Sequence, residues 1–171
     1  GLDSGSRSAA LGGVCTFLEM PNTSPSTTTE ERIAEKVELG KKKSFTNFGF
    51  FMGATGDNLK ELLKVPKLEG CCGIKIFLGS STGSLLLYDK DELTEIFEQT
   101  TAPISIHSED EQMLNARLHI RDSATTAHSH PEWRSEEVAL SSTKMVVELA
   151  EAAKRKIHIL HISSKAEIAF L

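Results

Sequence analysis

Several things are scarce in this sequence. It has only three cysteines, Cys15, Cys71 and Cys72, at no framework spacing. Such a set excludes a disulfide scaffold, and all three read as reduced thiols of a cytoplasmic protein. No apolar run approaches the roughly 18 residues of a membrane span, so no membrane partner is expected. Residues 1–13 lack the basic start and apolar stretch of a signal peptide. Positive charge is in the minority, with 19 Lys and Arg against 24 Asp and Glu and a net charge of -5. That balance argues against a nucleic-acid partner, which calls for a basic face. The lysine cluster Lys41, Lys42 and Lys43 closes a predicted helix, where cations suit the helix dipole.

Motifs are missing too. No G-x-G-x-x-G follows the first predicted strand, which disfavours a dinucleotide fold. No G-x-S-x-G elbow supports a serine hydrolase. The loop at residues 79–84 (GSSTGS) lacks the GK[ST] ending of a phosphate-binding loop, and plain flexibility is the simpler reading. The chain opens on Gly1 without an initiator methionine and closes on Leu171 inside an unfinished helix. A piece of a longer protein is the expectation.

What is present is an ordinary core composition, 39% hydrophobic and 25% charged. Short apolar runs alternate with amphipathic stretches. Strands are expected at residues 14–20, 45–52, 73–78, 103–107 and 156–162. The first helix ends at Gly12 and Gly13. The second is capped by Thr28 or Thr29 and runs to about Lys43. Asp57 is expected to cap a short helix to about Val65. Further helices are expected at 89–99, 109–118 and 135–154, and after a cap at Ser163 or Ser164. Residues 119–133 read as irregular. Strand–helix alternation five times over specifies an α/β fold with a parallel sheet. Continuously apolar strands fit burial on both faces. Five units do not close an eight-stranded barrel of about 250 residues. An open doubly wound sheet and a truncated barrel both remain. One domain over residues 1–171 is expected.

In parallel α/β folds the chemistry lies at the carboxyl ends of the strands. Four polar residues fall there: Asn22, Lys75, His107 and His161. Lys75 sits inside GIKIFL, between Ile74 and Ile76. An ammonium in a packed sheet is costly unless paired or deprotonated. A neutral lysine amine is a nucleophile able to form a Schiff base, or to take up carbon dioxide as a carbamate that can bridge two metals. The plainer reading is a strand-end lysine that snorkels to water. His107 ends PISIH and precedes Ser108, Glu109 and Asp110, as suits a metal ligand with carboxylate support. The plainer reading there is a core histidine bonded to backbone. On a regular strand His158 and His161 point to opposite faces. His161, nearer the carboxyl end, is the choice, and His158 is expected to face the helix layer. His128 and His130 read as a surface loop, and His119 as peripheral. Asn22 follows Met20 and Pro21 in a strand-exit loop, either as a hydrogen-bonding group or as a turn former.

Four stretches carry a resemblance: GGVCTFLEMPNTSP from Gly12, GCCGIKIFLGSSTG from Gly70, ISIHSED from Ile104 and ILHISS from Ile159. Together they resemble the dihydroorotase branch of the amidohydrolase superfamily. MPNT and the His-x-Glu-Asp form are closest to dihydroorotases, whereas GIKIFL is shared with hydantoinase-like relatives. The resemblance implies a partial TIM-type (β/α) barrel of about five strand–helix units, from a single metal-dependent hydrolase domain. It implies two zinc ions, with Lys75 as the carboxylated lysine bridging them and His107 and His161 on the second metal. Asn22 would contact the carboxylate of dihydroorotate or N-carbamoyl aspartate. A bridging hydroxide would attack the ring amide carbonyl, in a reversible step of pyrimidine biosynthesis. A homodimer is the matching expectation for assembly.

The departures matter as much. The family's first-strand HxH pair, its neighbouring substrate arginine and its last-strand aspartate have no counterpart among these residues, and His128 with His130 fall at the wrong place to replace the pair. Two other readings share the residues. One is an allantoinase or dihydropyrimidinase; the other is a non-catalytic dihydroorotase-like scaffold, against which the retained Lys75, His107 and His161 argue. The expected outcome for the isolated 171-residue chain is no hydrolysis of dihydroorotate. A turnover assay checks this, and robust hydrolysis would refute it.

Overall fold

The computed structural model describes residues 1–81 and 85–171. Five strands form one sheet in the order β1-β2-β3-β4-β5. They are β1 (Thr16–Glu19), β2 (Asn47–Gly53), β3 (Cys71–Phe77), β4 (Ile104–His107) and β5 (His158–Ile159). β1 with β2, β2 with β3, and β4 with β5 run parallel. Spatial order equals chain order. A doubly wound sheet reverses its order at a switch point, so the topology is that of a barrel wall. By its contacts the chain divides into two compact units, residues 1–75 with 100–104, and 76–99 with 105–171.

The first unit holds α1 (Leu2–Leu11), β1, α2 (Glu30–Lys43), β2, α3 (Leu59–Leu62), a 3-10 turn at Val65–Lys67 and β3 as far as Lys75. Gly12 and Gly13 stop α1 as expected, Gly13 with φ +81°. The Thr29 hydroxyl caps α2 by accepting from Arg32 N, and Lys41, Lys42 and Lys43 are exposed in its last turn. Ile33, Val37 and Gly40 form the buried face of α2, at i, i+4 and i+7. They pack where Phe50, Phe51 and Met52 of β2 are also buried. The expected cap at Asp57 is corrected. Asn58 precedes α3 instead, and its amide donates to Thr28 O and Gly53 O, tying two strand exits together. Asp57 accepts from the Thr55 hydroxyl.

β3 carries a bulge. Phe50 pairs with Cys71 and Phe51 with Gly73, leaving Cys72 as the extra residue. The Cys72 thiol donates to Phe50 O at 3.1 Å. All three cysteines are free thiols. A Cβ on Gly73 would stand 2.6 Å from Pro103 O and 2.9 Å from the Phe51 ring, so only glycine lets the backbones approach this closely.

The second unit holds α4 (Lys90–Gln99), α5 (Glu111–Ala116), α6 (Leu118–Asp122), a 3-10 turn at Ala127–Ser129, α7 (His130–Trp133), α8 (Glu136–Ala152) and α9 (Lys165–Phe170). Leu93, Ile96 and Phe97 of α4, and Val138, Val146 and Ala150 of α8, supply its core with Ile76, Leu78 and Ile106. The helix expected at 109–118 starts later, because Asp110 caps it by accepting from Met113 N. Residues 119–133, expected irregular, contain α6 and α7. Pro131 suits the first turn of α7, and the Trp133 indole anchors it by donating to Leu114 O at 3.0 Å. β5 is two residues long rather than seven. Its ladder lasts only where Ser105 and Ile106 offer partners, and His161, with φ +40°, leaves the strand conformation. His158 is exposed, not turned to a helix layer. Thr82, Gly83 and Ser84 of the GSSTGS loop lie outside the described residues. No helix among the described residues is long and apolar enough to cross a membrane.

Gly40 yields a test of α2 packing. A Cβ there would meet the Phe48 ring at 2.6 Å. Gly to Ala in an open helix stabilises by about 1 kcal/mol. Gly40→Ala is expected instead to destabilise the protein, by roughly 1–3 kcal/mol as overpacking does. Urea denaturation measures the difference.

Candidate functional site

Burial makes Lys75 unusual before any chemistry is considered. It pairs with Gly53 in the β2–β3 ladder, and its carbonyl accepts from Ala54 N at 2.9 Å. Ile74 is 0% exposed and Lys75 itself 1% exposed. The snorkelling alternative is thereby corrected: the amine does not reach water. Desolvation pushes its pKa down from 10.5 to about 7. Near neutrality a large fraction of this lysine is a neutral amine.

The second unit brings two imidazoles together. His107 Nδ1 and His161 Nε2 are 2.9 Å apart, with the rings at 62°. On its other side His107 Nε2 lies 2.5 Å from Glu109 Oε2. Arg134 grips the same carboxylate in a fork, Nε donating to Oε1 at 2.7 Å and Nη2 donating to Oε2. Burial alone would raise the Glu109 pKa. The hydrogen bonds from His107 and Arg134 outweigh it and hold the carboxyl at about 2. An ionised Glu109 only accepts, so in the neutral imidazole Nε2 carries the proton. The Nδ1 lone pair of His107 is then the one that faces His161.

His161 is exposed and adopts a left-handed backbone that a non-glycine residue accepts at a cost of about 1–3 kcal/mol. Its place opposite His107 comes from this turn rather than from strand parity. Leu160 N donates to Ile106 O just before it, and the Ser164 cap of α9 follows. An open cleft of about 770 Å³ lies in this unit, lined by His107, Glu109, Arg134, His161 and Glu167 among others. His130, set aside as part of a surface loop, also reaches this cleft and packs edge-on to Trp133.

The donor chemistry suits a zinc-like ion in part. Two ring nitrogens converge, and the far nitrogen of one is held by a carboxylate, as ligating histidines usually are. Among the described residues no group of three or more His, Cys, Asp or Glu is placed to hold a metal. Two imidazoles alone fall short of the three or four protein ligands that a zinc site uses. Asn22 lies exposed in the loop after β1, in the first unit. Gly79 guards the Glu109 backbone, since a Cβ on it would meet Glu109 O at 2.6 Å. Sequence reading missed Arg134 entirely. It stands 25 residues beyond Glu109, and no local pattern announces a partner so far away.

No family model matches the chain. It is 30% identical to a dihydroorotase of Methanosarcina mazei, over 98% of the chain and 37% of that protein. It is 28% identical to an allantoinase of Deinococcus radiodurans, over 99% and 39%. An L-hydantoinase of Paenarthrobacter aurescens is 30% identical over 93% and 36%. The chain thus spans less than two-fifths of the length of these relatives. Among solved structures, the L-hydantoinase (dihydropyrimidinase) of Arthrobacter aurescens superposes with a TM-score of 0.88 at 26% identity, over 99% of the chain and 38% of the neighbour. A D-hydantoinase gives 0.85 at 20% identity, over 98% and 38%, a likeness of fold. These likenesses agree with the barrel-wall strand order, and the α/β, partial TIM-type reading stands.

Lys75 carries a pH signature. Between about pH 7 and pH 10.5 the unfolded chain keeps a proton that the folded chain has released. Stability therefore rises with pH across that window, by on the order of 5 kcal/mol in all. Lys75→Met is expected to stabilise the chain at pH 6 in bicarbonate-free buffer and to flatten the rise. Urea midpoints from pH 6 to 10 measure both. Parallel curves for the two proteins would show that the amine is not desolvated.

Proposed function

We propose, from the premise that this chain is a stretch of an amidohydrolase of the cyclic-amidase branch, that its parent protein is a dihydroorotase. The reaction is reversible hydrolysis of the cyclic amide of dihydroorotate to N-carbamoyl aspartate. The observation that carries the hydrolase part of the reading is Lys75, a lysine sealed in β3 with its pKa lowered to about 7; the choice of dihydroorotase rests on the resemblance of the MPNT stretch. A packing role alone would be met by the Val, Ile or Leu that fill buried parallel strands. A neutral amine adds to carbon dioxide through a new N–C bond and releases one proton, and the product is an anionic carbamate with two oxygen donors. We assign that carbamate to Lys75, and imidazole ligation to His107 and His161.

The implied group is zinc, two ions in the whole enzyme. When bound, it would polarise the amide carbonyl and acidify a water molecule. This chain's own residues do the orienting. Glu109, held by Arg134, keeps the proton of His107 on Nε2 and leaves Nδ1 as the ligating nitrogen. Asn22 is assigned to the substrate carboxylate as a donor from a strand-exit loop, and this assignment rests on the resemblance. Residues 1–171 are assigned to the middle of one barrel domain, of a cytoplasmic protein that acts on small molecules and pairs as a homodimer.

A second reading has its own support. Relatives named allantoinase and L-hydantoinase match the same stretch at 28% and 30% identity. The two readings share Lys75, His107 and His161, and they differ in the ring that is opened. A turnover assay of the zinc-loaded, full-length parent with dihydroorotate, allantoin and dihydrouracil separates them. Dihydroorotate is expected to be the best substrate by at least about 100-fold in kcat/KM, roughly 3 kcal/mol. Preference for allantoin or dihydrouracil would overturn the dihydroorotase reading and keep the branch. In the same protein Lys75→Ala is expected to lower kcat by about 1,000-fold or more, and to lose metal with it. A Lys75→Ala variant that retains full zinc and full activity would end the hydrolase reading.

A further inference from the structure

A run of buried polar side chains joins the segment after His107 to the segment after His161. Ser108 follows His107, and its Oγ lies 3.0 Å from Ser142 Oγ and 2.9 Å from Thr143 Oγ1, both on α8. The Thr143 hydroxyl donates to Glu167 Oε1 at 2.9 Å. The Ser164 hydroxyl donates to Glu167 Oε2 at 2.8 Å and accepts from Glu167 N at 3.1 Å. Ser108, Ser142, Thr143 and Glu167 are all buried, with Thr143 at 0% and Glu167 at 3% exposure.

Helix capping explains only half of this. Ser164 is the N-cap of α9 and Glu167 its third residue, so a bond between them is ordinary end-capping. Capping needs neither burial of the carboxylate nor an oxygen aimed at α8. A carboxylate taken out of water is costly unless donors meet it, and here each oxygen meets a hydroxyl from a different element. Those two elements flank the imidazole pair in sequence: Ser164 is three residues beyond His161, and Thr143 leads through Ser108 to His107. His161 itself has a left-handed backbone, which persists only when both sides are held. Leu160 N on Ile106 O holds the near side. On the far side are the Glu167 clamp and Ala166 N, which donates to Glu136 Oε1 at 2.7 Å.

We propose that Glu167 is a positioning residue: by clamping Ser164 to Thr143 it holds the His161 ring against His107. The geometry stands by itself, and the consequence for metal binding rests on the reading of both histidines as ligands. The test uses the 171-residue chain with 15N-labelled histidine, first metal-free and then titrated with zinc. In the unaltered chain, nitrogen shifts are expected to show His161 Nε2–H donating to His107 Nδ1, and His107 Nε2–H donating to Glu109. Glu167→Ala is expected to move the His161 nitrogens to those of a freely exchanging imidazole. The His107–Glu109 signal and the circular dichroism should stay as they were. Zinc should bind at least about 10-fold more weakly, the scale of lost support around a ligand. Glu167→Gln keeps one carbonyl acceptor and should recover most of the His161 signal.

A folded Glu167→Ala chain with unaltered His161 shifts and zinc affinity overturns the proposal. If that variant fails to fold, Ser164→Ala decides. It removes one of the two hydroxyls and should shift the His161 nitrogens in the same direction by a smaller amount; unmoved signals refute the clamp. If the unaltered chain takes up no zinc, the metal-free spectra alone judge the clamp.

Discussion

A lysine amine kept from water is the constraint on which the structure turns. Bulk solvent stabilises an ammonium far better than a sheet interior does. β3 nevertheless places Lys75 at 1% exposure, beside Ile74 and Ile76 at 0%. The bulge at Cys72 and the bare backbone of Gly73 let the neighbouring chain segments close in around the strand. Dehydration then lowers the pKa to about 7 and turns a cation into a nucleophile. Burial is the cause of that shift.

The imidazole pair poses a problem of direction instead of charge. Two ring nitrogens serve a common ion only if both lone pairs can aim at it. Glu109 settles which nitrogen of His107 carries the proton, and Arg134 holds Glu109 ionised. A part-buried ion pair of this kind is weak support for stability, because desolvation offsets attraction. Its worth here is orientation. On the other side a strained turn delivers His161, and a buried carboxylate anchors the segment that follows.

Three kinds of cyclic amidase match the same stretch at 28–30% identity. What this stretch itself encodes is a set of parallel strands, with a lysine inside the third, a histidine at the end of the fourth and another just beyond the fifth. Likeness at this level does not discriminate among the three names.

Much of this was legible in the linear chain. Alternation in GIKIFL implied a lysine among buried neighbours, and five apolar runs between amphipathic stretches implied five parallel strands in α/β alternation. The helix starts at Thr28 or Thr29 and at Ser163 or Ser164 were readable because a cap is a contact made within three residues, and the structure selects Thr29 and Ser164. Folding decided the rest. The bulge at Cys72, the order within residues 119–133 and the exposure of His158 depend on what packs against each segment. His161 reaches His107 through a left-handed turn, not through strand parity. Arg134 meets Glu109 across 25 residues, and Glu167 meets Thr143 across 24. Local pattern records which face of an element is buried. Only the packing of elements determines which distant side chains meet, because those encounters leave no period in the sequence.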